Sequence, residues 1–228
     1  MQGRLIVFEG VEGCGKTTQI RRSQSWLHTS GILQRLQEQG HLSQLIITRE
    51  PGGTEVGQAI RQLLLHPSTC EPICQQAELL LYAADRAQHV ETLLKPELAK
   101  GSLILCDRYT DSTIAYQGYG RGLSLDLIQH LSQMATNGLE SDLTIWLDID
   151  AVAGLARTQQ RGIADRMEQS HPEFHRRVQQ GFVELAKANP HRIVRVDASP
   201  SEAEVTRQIQ DLLQQRLSEW YQPLLIPS

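Results

Sequence analysis

Short apolar runs alternate with longer amphipathic segments along this chain. The apolar runs are almost continuous, as is typical of strands that are covered on both faces of a sheet. We predict five such strands, at Arg4–Glu9, Gln44–Thr48, Ser102–Asp107, Leu143–Asp148 and Arg192–Asp197. The segments between them have helical periodicity, and the predicted helices are Lys16–Leu27, Val56–Leu65, Gln75–Arg86, Ala87–Lys100, Leu125–Thr136, Ala151–Gln160, Glu173–Ala188 and Ser201–Leu217.

This order of elements predicts an α/β fold, with a five-stranded parallel sheet and helices on both of its faces. The 228 residues suit a single domain that spans residues 1–228. The Gln-rich stretch Gln34–Gln44 is interpreted as the end of one helix and a loop. Ligands of such folds gather at the carboxyl ends of the strands, so functional residues are expected there.

Composition and charge exclude several classes of protein. The formal net charge is −4 and the pI is about 6.1, which gives no basic field for a nucleic acid or an anionic membrane. No stretch approaches the ~18 apolar residues of a membrane span, and Met1 leads directly into a strand without a secretory signal. We expect a cytoplasmic protein whose four cysteines, Cys14, Cys70, Cys74 and Cys106, are free thiols.

The strongest local signal follows the first strand. It fits the phosphate-loop pattern G-x-x-x-x-G-K-[ST] at every fixed position, and a predicted helix follows it. The residues expected to bind the nucleotide are Gly10, Val11, Glu12, Gly13, Cys14, Gly15, Lys16, Thr17 and Thr18. Lys16 would contact the β- and γ-phosphates of ATP, and Thr17 would offer its hydroxyl to Mg²⁺ as the cofactor.

Charged residues also stand at the ends of the second and third predicted strands. Arg49 precedes a rigid Pro-Gly-Gly turn and can bind a phosphate there. Asp107 can hold Mg²⁺ or its water, and Arg108 can clamp the phosphate of an acceptor. Together with Lys16, Asp107 and Arg108 are expected to take part in catalysis.

Arginines cluster again after the fourth strand. Arg157 and Arg161 are four residues apart and therefore share one helical face, and Arg166 follows shortly after them. We predict a small lid at about residues 157–170 that brings Arg157 and Arg161 to the transferred phosphoryl group as catalytic residues.

A phosphate loop alone indicates a nucleoside triphosphate and not a reaction. The chain lacks the D-x-x-G and N-K-x-D motifs of a signalling GTPase in workable order. The alternatives left open by the motifs are a kinase for another nucleoside monophosphate or for a nucleoside, and a nucleotide-dependent switch or regulatory ATP-binding protein.

Several motifs in one order resemble the thymidylate kinase family of bacteria from about Leu5 to Asp197. The matching stretches are Phe8–Thr18, Thr48–Thr54, Leu81–Arg86, Asp107–Tyr109, Ala115–Gly118 and the lid stretch Arg157–Arg166. The resemblance implies a P-loop NTPase fold and an enzyme that uses ATP and Mg²⁺ to convert dTMP to dTDP, feeding dTTP synthesis.

The resemblance also implies roles for individual residues of the acceptor site. Arg86 would hydrogen-bond the thymine carbonyl, with Tyr82 stacked on the base. Tyr116 would pack against the sugar and exclude a 2′-hydroxyl. The family further implies that Gln117 and Ser112 lie by the base and the acceptor, and that Glu12 approaches the sugar 3′-hydroxyl. Arg49 and Arg108 would hold the acceptor phosphate.

The family has two catalytic layouts, one with an arginine in the phosphate loop and one with the arginine on the lid. Gly13 stands at the loop position here and the lid is rich in arginine, so the chain resembles the lid-arginine type. The resemblance further implies a homodimer.

Overall fold

The carboxyl ends of five parallel strands form one edge of the sheet and position the residues of interest. The computed structural model of the chain describes residues 3–65, 72–159, 166–167 and 169–221. The strands are β1 (Arg4–Glu9), β2 (Leu45–Arg49), β3 (Leu103–Asp107), β4 (Leu143–Asp148) and β5 (Ile193–Asp197). They pair in parallel in the order β2-β3-β1-β4-β5, which confirms the predicted five-stranded sheet.

Helices cover the sheet on both faces. They are α1 (Lys16–Thr29), α2 (Ile32–Glu38), α3 (Glu55–Leu65), α4 (Gln75–His89), α5 (Lys95–Ala99), α6 (Thr110–Thr113), α7 (Leu125–Thr136), α8 (Ala151–Gln159), α9 (Pro172–Ala188) and α10 (Glu202–Tyr221). Two π-helical segments, Val90–Leu94 and Ile114–Gly120, continue α4 and α6. None of the helices in the described ranges combines the length and the apolarity needed to cross a bilayer.

The helix predictions were wrong in three places. The two helices predicted at Gln75–Arg86 and Ala87–Lys100 form one helical run, because the π-helical segment joins α4 to α5 without a break. The Gln-rich stretch Gln34–Gln44 does contain the end of one helix and a loop, as interpreted, but that helix is a separate element, α2, which was not among the predicted helices and begins after Gly31 in a left-handed conformation with φ 71°. The helical run from Thr110 to Gly120 was not predicted at all.

The central strand β1 is buried on both faces of the sheet. Leu5, Ile6, Val7 and Phe8 have no exposed surface. Phe8 and Ile6 face one hydrophobic cluster, while Leu5 and Val7 belong to a second cluster across the sheet. Because both faces are covered, the sequence of β1 is a continuous apolar run rather than an alternating one.

The phosphate loop after β1 packs backbone against backbone on α8. A Cβ atom added to Gly13 would lie 1.9 Å from the carbonyl oxygen of Gly154, and one added to Gly154 would lie 2.3 Å from the carbonyl oxygen of Glu12. Gly13 also has φ +72°, a conformation that residues with a side chain adopt only with strain. Two glycines therefore allow the loop and the helix to touch directly.

This contact predicts a large effect of Gly13→Ala. We expect the free energy of unfolding to fall by about 2–4 kcal/mol, because the new methyl group adds a backbone collision to the conformational strain. Gly40→Ala is the matched control, since Gly40 has the same φ of +72° with nothing within 4 Å of the added Cβ. Urea unfolding of both variants measures the difference, and equal losses of stability would show that the contact with α8 is unimportant.

Candidate active site

The phosphate loop connects β1 to α1 and places Lys16 beneath it. The Lys16 ammonium lies 3.1 Å from the carbonyl oxygen of Gly10 and 3.2 Å from that of Val11, and 3.5 Å from Cys14 Sγ. These bonds hold a cationic group against the loop at the positive end of α1, where an anion is favoured.

A cavity extends from this loop across the carboxyl ends of β2 and β3. We call it the phosphate cavity, and its lining residues are Glu12, Gly13, Gly15, Lys16, Thr17, Thr18, Arg49, Glu50, Arg61, Asp107 and Arg108. Four of its eleven lining side chains are Lys or Arg, so the cavity suits a polyanion. Gly10, Val11 and Cys14 of the predicted nucleotide site contribute to the loop but do not line this cavity.

Thr17 and Asp107 form a site that fits a magnesium ion. The Thr17 hydroxyl lies 3.2 Å from Asp107 Oδ2, and both side chains line the phosphate cavity. One hydroxyl and one carboxylate match the preference of Mg²⁺ for a few protein oxygens completed by water and phosphate. Among the residues whose placement is known, no group of three or more His, Cys, Asp or Glu side chains forms a protein-only metal site.

Arg108 links the phosphate loop to the segment after β3. Its guanidinium donates to the Gly10 carbonyl and Ser112 hydroxyl at 3.1 Å each, and to the Tyr116 hydroxyl at 3.0 Å. It also forms an ion pair with Glu12 at 2.5 Å. The backbone of Arg108 has φ 71°, an unusual conformation for a residue with a side chain, which is typical of a functional position.

Two carboxyl groups on β1 and the phosphate loop have opposite pKa shifts. Burial raises the pKa of Glu9 to about 7, although the charge of Arg108 opposes this. Burial would also raise the pKa of Glu12, but Arg108 and Lys16 outweigh it and lower that pKa to about 2. Glu9 accepts bonds from the Tyr109 and Ser112 amides and the Ser112 hydroxyl, so it fixes the segment that carries Arg108.

A second cavity adjoins the phosphate cavity, and we call it the aromatic cavity. Its lining residues are Glu12, Glu50, Pro51, Arg61, Leu65, Tyr82, Arg86, Arg108, Tyr109, Ser112, Thr113, Tyr116, Gln117 and Met167. It shares four charged residues with the phosphate cavity, namely Glu12, Glu50, Arg61 and Arg108. The combination of three tyrosines with hydrogen-bonding groups suits a flat, polar-edged ring.

The wall residues of the aromatic cavity come from α4 and the helical run after β3. Tyr82 and Arg86 are one helical turn apart on α4, so they face the same side. The Arg86 guanidinium is buried and bonds Glu50 at 2.8 Å, the Thr113 hydroxyl at 2.9 Å and the Tyr109 carbonyl at 3.0 Å. Gln117 is also buried and donates to Glu78 at 2.9 Å.

Comparisons with known proteins agree with this geometry. The family model described as Thymidylate kinase matches residues 8–209. A Thymidylate kinase of Cyanothece sp. is 57% identical over 228 residues, covering 97% of each chain. A Thymidylate kinase of Trichodesmium erythraeum is 58% identical over 223 residues, covering 96% of this chain and 99% of that protein.

The chain belongs to the thymidylate kinase family. A crystal structure of thymidylate kinase from Ehrlichia chaffeensis superposes with a TM-score of 0.72 at 30% identity, covering 94% of this chain and 100% of that one. The P-loop NTPase fold expected from the resemblance is therefore confirmed. The chain is accordingly a member of an enzyme family of nucleoside monophosphate kinases.

Several residues that line this thymidylate kinase site were given no role in the sequence analysis, among them Arg61 and Met167. Arg61 on α3 lines both cavities and donates to the Pro51 carbonyl at 2.9 Å. Met167 is buried in the wall of the aromatic cavity. An arginine within an amphipathic helix resembles an ordinary surface charge, and only the packing of α3 against the β2 turn brings Arg61 to the site.

The arginines of the predicted lid are distributed differently from expectation. Arg157 on α8 is exposed, donates to the Ala198 carbonyl at 3.3 Å, and lines neither cavity. Arg166 bonds the Leu64 carbonyl at 2.7 Å and pairs with buried Glu78 at 2.6 Å, beside the aromatic cavity rather than over the phosphate loop. Arg161 lies outside the described residues.

The opposite shifts of Glu9 and Glu12 predict opposite effects of pH on stability. Folding raises the pKa of Glu9 from 4.5 to about 7. The contribution of this protonated carboxyl group to the unfolding free energy is therefore full below about pH 4.5 and is lost as pH rises through 7. The loss amounts to at most about 3 kcal/mol. We expect Glu9→Gln to flatten the decline of the unfolding free energy between pH 4.5 and 7.

Glu12→Gln is the control with the opposite sign. Folding lowers the pKa of Glu12 to about 2, so its stabilising contribution is present above about pH 4.5 and is lost as pH falls through 2. In this variant the unfolding free energy should therefore fall less as pH drops from 4.5 to 2, while its decline between pH 4.5 and 7 should be unchanged. Urea unfolding across the pH range measures the unfolding free energy of both variants. If its decline between pH 4.5 and 7 is unchanged in Glu9→Gln, that decline does not come from Glu9.

Proposed function

We propose that this chain transfers the γ-phosphoryl group of ATP to dTMP, giving ADP and dTDP for dTTP synthesis. The observation that supports this most directly is that the two cavities share the lining residues Glu12, Glu50, Arg61 and Arg108. These residues stand between a cavity that suits phosphates and one that suits a base and sugar. An acceptor in the aromatic cavity would present its own phosphate to the donor held by the phosphate loop.

Catalysis in this proposal relies on positioning and charge. A phosphate oxygen of dTMP is already a nucleophile, so no strong general base is needed. Lys16 would neutralise the β- and γ-phosphates, while Arg108 and Arg49 would hold the acceptor phosphate in line. Thr17 and Asp107 would hold Mg²⁺, which when bound offsets negative charge on the phosphates.

The aromatic cavity would recognise the thymidine part of dTMP. Tyr82 would stack on the base and Arg86 would donate to its carbonyl, since each terminal guanidinium nitrogen carries two hydrogens and uses one in the protein. Tyr116 would lie against the sugar, with Ser112 and Gln117 completing the polar wall. Glu12 would contact the sugar 3′-hydroxyl.

The test of this function is ADP release with ATP and Mg²⁺ against a panel of acceptors. The panel contains dTMP, dUMP, dCMP, dGMP, AMP, UMP and thymidine. We expect turnover chiefly with dTMP, because Arg86 would donate to a carbonyl of the base and Tyr116 would exclude a 2′-hydroxyl. Turnover chiefly with another acceptor would overturn the acceptor assignments, and acceptor-independent ATP hydrolysis alone would contradict the kinase.

Of the two arginines predicted to act from the lid, Arg161 is proposed to act on the transferred phosphoryl group. We expect Arg161→Ala to lower kcat by about 100-fold or more with KM for dTMP changed less, because the charge would be needed mainly in the transition state. Arg157→Ala is the comparison, since Arg157 contacts the Ala198 carbonyl. Steady-state kinetics of both variants test the lid-arginine layout, and an unchanged kcat in Arg161→Ala would remove Arg161 from the chemistry.

We further propose that the chain forms a homodimer, acts as a single domain and works in the cytoplasm. Large apolar side chains are exposed on three helices that pack side by side, α3, α4 and α7. They include Leu63 at 52%, Leu80 at 56% and Met134 at 73% exposure, which is typical of a surface covered by a partner. The molar mass in solution tests the dimer. If the protein at micromolar concentration has the mass of a single protomer, the dimer proposal is wrong.

A further inference from the structure

Helix α4 holds the turn after β2 through three buried side chains. Asp85 Oδ1 accepts the backbone N–H of Gly52 at 2.9 Å. Arg86 Nε donates to Glu50 Oε2 at 2.8 Å, and His89 Nδ1 lies 2.8 Å from the other oxygen, Glu50 Oε1. The Glu50 carboxylate is thus shared between Arg86 in the cavity wall and His89 behind it.

The Glu50 carboxylate determines which ring nitrogen of His89 carries a hydrogen. A carboxylate only accepts hydrogen bonds, so Nδ1 of His89 carries the hydrogen and donates it. Nε2 lies 2.7 Å from the Thr48 hydroxyl, which can supply the second bond. His89 has no exposed surface and Glu50 is only 4% exposed, so water does not compete for these bonds.

Within the described part of the chain, Glu50 is the charged group that hydrogen-bonds Arg86. Its two other contacts are neutral oxygens, the Thr113 hydroxyl and the Tyr109 carbonyl. A guanidinium that is 3% exposed needs a well-placed counter-charge, and a carboxylate free to rotate would let it shift within the wall. His89 removes that freedom because it occupies the oxygen of Glu50 that Arg86 does not use.

We propose that His89 is a positioning residue for acceptor recognition: it orients Glu50, and Glu50 sets the Arg86 guanidinium in the wall of the aromatic cavity. The inference rests on the proposed function, in which Arg86 donates to a carbonyl of the pyrimidine. His89 itself lines neither cavity, so it would act only through Glu50. By orienting Glu50, His89 would increase the preference for a base with a carbonyl over a base with an amino group at the same position.

The experiment compares three substitutions of His89 with dTMP and dCMP as acceptors. His89→Leu removes both hydrogen bonds, His89→Asn keeps a donor near the place of Nδ1, and His89→Gln keeps a polar group near the place of Nε2. We expect His89→Leu to raise KM for dTMP about tenfold and to reduce the preference for dTMP over dCMP by a similar factor. The kcat for dTMP and the KM for ATP should change less than about threefold.

The Asn variant should restore most of the base preference and the Gln variant should not, because only Asn can donate to Glu50. Val90→Ala is the matched control: Val90 is adjacent, equally buried and part of the hydrophobic cluster, so its truncation should lower the melting temperature without changing base preference. If His89→Leu merely loses stability as Val90→Ala does, or if Asn and Gln behave alike, the inference is wrong.

Arg86→Ala, measured in the same assays, separates this inference from the assignment on which it rests. If Arg86→Ala abolishes the preference for dTMP over dCMP while His89→Leu keeps it, only the role of His89 is refuted. If Arg86→Ala leaves the preference unchanged, the base-recognition role of Arg86 fails, and the role of His89 fails with it. The acceptor panel tests dTMP-dependent turnover of the unsubstituted protein separately, so a failure of the proposed function is distinguished from a failure of this inference.

Discussion

The ion pair between Arg108 and Glu12 is the interaction on which the rest of the site depends. It joins the end of β3 to the phosphate loop, at the place where the two cavities meet. Both side chains are largely withdrawn from water, with 15% and 19% exposure, so neither charge is tolerated well without the other. The strained backbone of Arg108 is held by the bonds that Glu9 accepts from the next residues, and that network keeps the guanidinium aimed at the loop.

The sheet and the phosphate loop were predictable because their signals are local. A strand buried on both faces requires a continuous apolar run, and the loop requires glycine, lysine and threonine at fixed spacing. Arg49 was expected as a phosphate ligand from its place at a strand end, and it lines the phosphate cavity. Tyr82, Arg86, Ser112, Tyr116 and Gln117 came from the family resemblance, and all five line the aromatic cavity. Their positions agree with the expectation, while their roles toward a nucleotide remain proposals.

The features that were not predictable depend on contacts between distant segments. The run from Thr110 to Gly120 contains β-branched residues, tyrosines and glycines, which have low helix propensity, yet it packs closely on α9 and becomes helical there. Arg61 and Met167 come to the site only through the packing of α3 and of the segment after α8. The role of Glu50 could not be predicted, because nothing local shows that its carboxylate is buried between two residues of α4.

The contact between Gly13 and Gly154 bears on how the two catalytic layouts of the family relate to each other. An arginine at position 13 would place its Cβ 1.9 Å from the carbonyl oxygen of Gly154 as it now stands. The loop-arginine layout therefore cannot be reached from this chain by one exchange, since α8 would have to move away from the loop first. Arg157 of the predicted lid lies on α8, so that movement would displace it as well. The choice of which segment supplies the arginine is thus built into the spacing between a loop and a helix, and an evolutionary path between the layouts would have to pass through a change in backbone packing.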